Sequence, residues 1–293
     1  MNTLLTTPRK KRRSAFTLIE IMVATVIMIV LVGLVIQITS EVLKVWNRSS
    51  GKLSANAEAR IAMDLLTQDL ETAVFRNNGL RWLEASKQAV DNPFSGTGFV
   101  TTKLKLFSPA LDRPEGVAGD ICGVSYLLDY GSPIDGGSTG DQTFILYRHL
   151  IDPEETFNEL MGSGNQEEFD NTQWLEPATK ADGDNYLVSN IVDFRIDFYV
   201  EGDSEDPAGT ALLVSGDVKF GGTDATVGAA SGGTVFARPL AYADITLTVV
   251  SDSVLQVIQA DKLTQTGFSS WKEYIAANGE VFVRRVNFLA RPL

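Results

Sequence analysis

The stretch Arg9-Lys10-Lys11-Arg12-Arg13-Ser14-Ala15-Phe16-Thr17-Leu18-Ile19-Glu20, which runs on through Ile21-Met22-Val23 to Val35-Ile36-Gln37-Ile38, sets the plan of the whole chain. Five cations in a row are followed by 23 residues, Phe16 to Ile38, whose only charge is Glu20. As an α-helix such a run rises about 34 Å, which matches a bilayer hydrocarbon core about 30 Å thick. The cations should remain on the cytoplasmic side, so everything after Ile38 is expected on the far side.

Simpler explanations of this stretch fail on particular residues. A secretory signal peptide has an apolar region of about 7 to 15 residues closed by a small-x-small site. Here the nearest such site, Ala55-Asn56-Ala57, lies 17 residues beyond Ile38. A lipoprotein needs a cysteine just after the apolar run, and the single cysteine is Cys122. A plain one-span anchor accounts for the length but not for Glu20. A carboxylate near the start of a spanning helix costs on the order of 2.5 to 3.5 kcal/mol on insertion scales, which makes it a functional residue in search of a partner.

Lys10-Lys11-Arg12-Arg13-Ser14-Ala15-Phe16-Thr17-Leu18-Ile19-Glu20 resembles the signal of type IV prepilins and type II secretion pseudopilins: a basic leader, a small residue, then Phe-Thr-Leu-x-Glu opening an apolar helix. The resemblance implies that a membrane aspartyl peptidase cuts between Ala15 and Phe16 and methylates the new Phe16 amine. The family prefers Gly before the cut, and this chain has Ala15, one methyl group larger. The resemblance also implies an assembly role for Glu20, whose carboxylate would pair with a neighbouring subunit's Phe16 amine in an apolar filament core.

Beyond Ile38, Thr39 to Arg76 keeps a helical period. Trp46, Leu53, Ala57, Ile61 and Leu65, then Leu66, Leu70 and Ala73, recur at three, four or seven and are expected to form the buried face. Lys44, Arg48, Lys52, Arg60, Asp64, Asp69 and Glu71 are expected on solvated faces. Unbroken from Phe16 to Arg76 the helix would be about 90 Å long. Gly33 and Gly51 are the expected places for bending or local melting.

After Asn77-Asn78-Gly79 the period becomes two. Val192, Phe194, Ile196, Phe198 and Val200 alternate with Asp193, Arg195, Asp197 and Tyr199, a half-buried strand. Further strands are predicted at Phe99 to Phe107, Ile121 to Asp129, Thr143 to Leu150, Ala211 to Phe220, Ala243 to Val250 and Val281 to Leu289. Ser253 to Asn278 is expected to be partly helical. Strands without intervening helices favour antiparallel sheets. The predicted class is therefore α+β: a leader at 1–15, a transmembrane half-helix at 16–38, an amphipathic half-helix at 39–76 and a β-rich extracytoplasmic domain at 77–293.

Composition limits the functions available. The chain has 293 residues and a net charge of −12; outside the leader 20 basic face 37 acidic groups, so the body repels polyanions and is not expected to bind nucleic acid. Cys122 cannot form an intramolecular disulfide and reads as a small buried hydrophobe, while His149 is the one histidine available to any triad. Gly136-Gly137-Ser138-Thr139-Gly140 has the nucleophile-elbow spacing, yet it follows Ser132-Pro133-Ile134-Asp135 in a glycine loop and reads as a turn. Asp182 and Asp184 in one acidic loop, and Asp203 and Asp206 in another, are the candidate Ca²⁺ ligands, weighed against solvated acidic turns; no other cofactor is expected.

This layout is similar to the J-class minor pseudopilins of type II secretion, firmly over residues 12 to about 76 and in pattern beyond. Trp46, Ser50-Gly51-Lys52 and Ala59-Arg60 are also similar to prepilin-like proteins of some gene cassettes. The large K-class tip subunit lacks the acid that Glu20 supplies, and major pilins are shorter and disulfide-bonded. The resemblance implies a non-catalytic inner-membrane subunit with a cytoplasmic N-terminus and a periplasmic domain. Its implied partners are the prepilin peptidase/methyltransferase, other minor and major pseudopilins, and secreted cargo. A minor pilin of a type IV pilus, or a membrane-tethered ligand-binding β-domain that does not polymerise, are the alternatives.

Overall fold

The apolar run and the periodic segment after it form one helix, α1, from Leu18 to Glu71. In the computed structural model the described residues are 16–74, 80–90, 99–114, 116–133, 142–161, 169, 173–175, 185–201, 212–213, 217–221 and 240–288. The helix continues through Gly33 and Gly51, so neither residue melts it. The chain divides into two compact units, Met1–Ser49 and Ser50–Leu293, and α1 contributes to both.

Among the described residues of Ser50–Leu293, ten strands form two sheets in which every paired neighbour is antiparallel. They are β1 Leu83–Val90, β2 Phe99–Ser108, β3 Cys122–Gly131, β4 Thr143–Ile151, β5 Tyr186–Ser189, β6 Ile191–Val200, β7 Leu212–Leu213, β8 Val218–Phe220, β9 Leu240–Val249 and β10 Glu280–Asn287. Six of them run in the order β5-β4-β3-β2-β1-β8 and four in the order β10-β9-β6-β7. A short helix, α2, Pro153–Glu155, runs into a π turn at Thr156–Leu160. The segment between β9 and β10 holds α3, Asp252–Gln259, and α4, Trp271–Asn278, as its composition suggested.

Most predicted strands are found within a few residues of their expected bounds. Two strands were not legible. β1, Leu-Glu-Ala-Ser-Lys-Gln-Ala-Val, contains few of the branched and aromatic residues that mark strands, and it is held by pairing with β2 from Leu83↔Leu106 to Val90↔Phe99. β5 is short and leads straight into β6 through Asn190, whose φ of 63° bends the chain from one sheet to the other. Asparagine tolerates this left-handed backbone, and here both polar atoms of its side chain are engaged: Nδ2 donates to Asp252 Oδ1 at 2.7 Å, and Oδ1 accepts from Thr143 Oγ1 at 3.0 Å.

The single strand expected over Ala211 to Phe220 is instead two. β7 pairs with β6 and β8 pairs with β1, so one run of sequence serves both sheets. The two sheets are also joined by hydroxyls: Thr101 Oγ1 donates to Phe194 O at 2.8 Å, and Thr102 Oγ1 accepts from Ile196 N at 3.2 Å, filling part of the β6 edge that β7 is too short to cover.

The buried face of α1 agrees with the expected one only in its last turns: Leu66, Leu70 and Ala73 are buried as the periodicity indicated, together with Ala55, Ala59, Ala62 and Met63, whereas Trp46 is 70%, Leu53 70% and Ile61 56% exposed and Ala57 is exposed too. Leu66 and Leu70, both fully buried, each contribute about 1.5 to 3 kcal/mol of burial. A period of three and four fits either face, so sequence alone could not choose between them. The buried face joins one core with Leu83, Leu104, Leu106, Val124, Leu128, Leu146 and Phe194.

Candidate functional site: the helix start and the docked helix

The helix begins with a reciprocal cap. Thr17 N donates to Glu20 Oε2 at 2.9 Å and Thr17 Oγ1 donates to the same oxygen at 3.0 Å, while Glu20 N donates to Thr17 Oγ1 at 3.3 Å. This is a capping box, and its signal, Thr followed three residues later by Glu, stands in the sequence at Thr17-Leu18-Ile19-Glu20. Sequence reasoning took Glu20 only as a charge awaiting another subunit. Both of its hydrogen bonds fall on Oε2, so among the described residues Oε1 is left for a second donor. Phe16 is exposed beside it, and Ala15 lies outside the described residues.

From Leu18 onward the first unit is an exposed apolar helix, and by length and composition α1 is apolar enough to cross a membrane. Thr25 and Thr39 fit this setting, because their hydroxyls donate to Met22 O and Val35 O, each at 2.8 Å, and so need no water.

In the second unit the docked half of α1 carries one charge that the sequence placed wrongly. Asp69, expected on a solvated face, is 2% exposed and lies under β3 and β4. Tyr126 OH donates to Asp69 Oδ2 at 2.5 Å. Arg148 donates from Nε to the same oxygen at 2.9 Å and from Nη2 to Oδ1 at 3.3 Å. The other edge of the guanidinium grips Asp112, Nη1 to Oδ2 at 2.6 Å and Nη2 to Oδ1 at 3.1 Å. Two carboxylates thus bracket one guanidinium and pin the helix to the six-stranded sheet.

The electrostatics follow from that geometry. Burial opposes the charge on Arg148, yet Tyr126, Asp69 and Asp112 outweigh it and hold the guanidinium protonated. Burial, then the Asp69 charge, pushes the Tyr126 phenol well above its ordinary range. Burial would raise the Asp112 carboxyl, but its hydrogen bond and attraction to Arg148 prevail and hold it below the usual value. Further along α1, Arg284 Nη1 on β10 donates to Asp64 Oδ1 at 2.5 Å, and Asn56 Nδ2 donates to Glu280 Oε2 at 2.7 Å. On the face left over, Leu53, Ala57 and Ile61 are exposed as an i, i+4 row beside the exposed Arg60 and Asp64.

His149 stands on β4, where Nδ1 lies 2.7 Å from Asn185 Oδ1. Cys122 is buried on β3, and burial pushes its thiol up to about 11. Gly136 to Gly140 and the acidic residues Asp182, Asp184, Asp203 and Asp206 lie outside the described residues. Among the described residues no group of three or more His, Cys, Asp or Glu could hold a metal ion.

No curated protein and no solved structure matches this chain. Residues 10–36, the helix start and the residues before it, fit the family model described as the prokaryotic N-terminal methylation motif, which makes the N-terminal segment of this chain prepilin-like.

Proposed function

We propose that the chain is a non-catalytic minor pseudopilin of the J class, cut between Ala15 and Phe16, methylated at Phe16 and assembled near the tip of a type II secretion pseudopilus. The methylation motif at residues 10–36 carries this reading, since it implies a prepilin peptidase and assembly with other pilin-type subunits. The exposed Leu53, Ala57 and Ile61 support it. A helix that belongs to a folded domain and still presents an apolar row is suited to packing against another helix. The inner membrane holds the subunit before assembly, with the β-rich domain in the periplasm, and secreted cargo is the partner of the assembled tip.

Intact-mass analysis of protein taken from membranes tests the reading. Loss of residues 1–15 together with one added methyl group, leaving 278 of the 293 residues, is the expected result. A full-length mass, with Met1 or Asn2 as the first residue, would leave the membrane-tethered β-domain as the better account.

A further inference from the structure

The first unit continues to look like a membrane helix beyond Ile38, where the apolar run of the sequence ends. Past Thr39, Ser40 and Glu41 the helix presents Val42, Leu43, Val45 and Trp46, all of them more than half exposed, Trp46 at 70%. Lys44 and Arg48 flank Trp46 and are exposed as well. Thr39 spends its hydroxyl on Val35 O, so the first polar residue after Ile38 is satisfied without solvent. Glu41 stands three residues before Lys44, the spacing at which opposite charges support each other on a helix.

A tryptophan between two cations is the pattern of a lipid interface. The indole lies at the headgroup level, and lysine and arginine stems run along the apolar boundary while their charges reach phosphate. Length decides where the rest of the helix then falls. From Met22 to Val42 the rise is about 30 Å, the full hydrocarbon thickness, and from Glu20 to Trp46 it is about 39 Å, close to the bilayer with both headgroup layers.

We infer that Trp46, with Lys44 and Arg48, is the far-side phospholipid anchor of this helix and sets its depth, so that the hydrocarbon covers about Met22 to Val42 and Glu20 lies in the near headgroup layer. The capping box fits that position. A carboxylate holding Thr17 N–H and O–H at the water-facing end of a helix incurs little of the cost it would meet in hydrocarbon. The alternative register, with hydrocarbon over Phe16 to Ile38, leaves Val45 and Trp46 in water and puts Glu20 about 6 Å inside lipid, whereas the assigned register has its one carboxylate, Glu41, at the very edge of the hydrocarbon and one turn from Lys44.

The test uses the full-length chain in phosphatidylethanolamine–phosphatidylglycerol vesicles, with a water-soluble maleimide present on both sides. Ile19→Cys, Val42→Cys and Ser49→Cys are made singly; Cys122 is buried and serves as the internal control. The expected result is labelling at positions 19 and 49 and loss of labelling at 42. Adding Trp46→Ala should let the helix settle back, so that position 42 gains labelling and position 19 loses it. Labelling at 42 with protection at 19 would overturn the assigned depth. An unchanged pattern in the Trp46→Ala variants would overturn the anchor role. Protection at 42 that disappears as protein is diluted with lipid would show that other copies, not phospholipid, cover the helix. None of these results depends on leader cleavage, so a failure here is distinct from a failure of the pseudopilin reading.

Discussion

Replacing Arg148 by Met keeps the length and apolar stem of the side chain and removes only its charge and donors. Asp112 is 54% exposed at its side chain and can rehydrate, so the loss falls on Asp69, whose side chain is 2% exposed and keeps only the Tyr126 hydroxyl. Stranding one charge of a buried pair costs about 3 to 5 kcal/mol. For a unit the size of Ser50–Leu293 each kcal/mol moves the melting temperature by roughly 2 to 4 °C, so Arg148→Met should melt about 6 to 20 °C lower. Calorimetry of the full chain in detergent reads this directly, and hydrogen exchange should rise first in Ala62 to Leu70 of α1. Removing all three partners together, as Asp69→Leu, Tyr126→Phe and Arg148→Met, leaves nothing buried and unpaired. The triple variant should regain most of the loss. A melting temperature for Arg148→Met within about 2 °C of wild type, or a triple variant that falls by the sum of its parts, would refute the bracket as the element that pins the helix.

Glu20→Gln keeps the side-chain oxygen that caps Thr17 but removes the charge, so the protein should be processed normally yet fail to crosslink to partner subunits; crosslinking equal to wild type would remove Glu20 from assembly. Ala15→Gly should speed conversion of precursor to the Phe16 form in a pulse-chase, and a bulky residue at 15 should block it. Ile61→Asp sits on the exposed face of α1, so melting should move by no more than about 0.5 kcal/mol while copurification with other pilin-type subunits is lost. On acidification, Asp112, with its lowered carboxyl, contributes stability above its unfolded value near about 3.9 and loses it as pH falls through the lower folded value, so Asp112→Asn should flatten the stability decline below about pH 4. Asp193 runs the other way: burial raises its carboxyl against the pull of Arg195 and Lys272, so its contribution fades as pH rises through the raised value.

The methylation motif and the long apolar helix that follows it were legible in the sequence. A basic cluster, a small residue, Phe-Thr-Leu-x-Glu and an apolar run act through composition and order, which need no distant contact, and the same holds for the β6 alternation from Val192 to Val200. The capping box was there as well, in the spacing of Thr17 and Glu20. Only the tertiary structure decided which face of α1 is buried. Leu66, Leu70 and Ala73 were legible as buried, but Leu53, Ala57 and Ile61 recur at similar intervals and are exposed, a difference that only packing against the β-rich domain sets. It also decided that Asp69 is an internal charge, because its partners Tyr126 and Arg148 lie 57 and 79 residues away. It split Ala211 to Phe220 between two sheets and placed β5, which local sequence did not mark, in the other sheet from β6 across Asn190. In each case the energy lies in a pairing between distant residues, and local sequence carries no record of which partner the fold will bring.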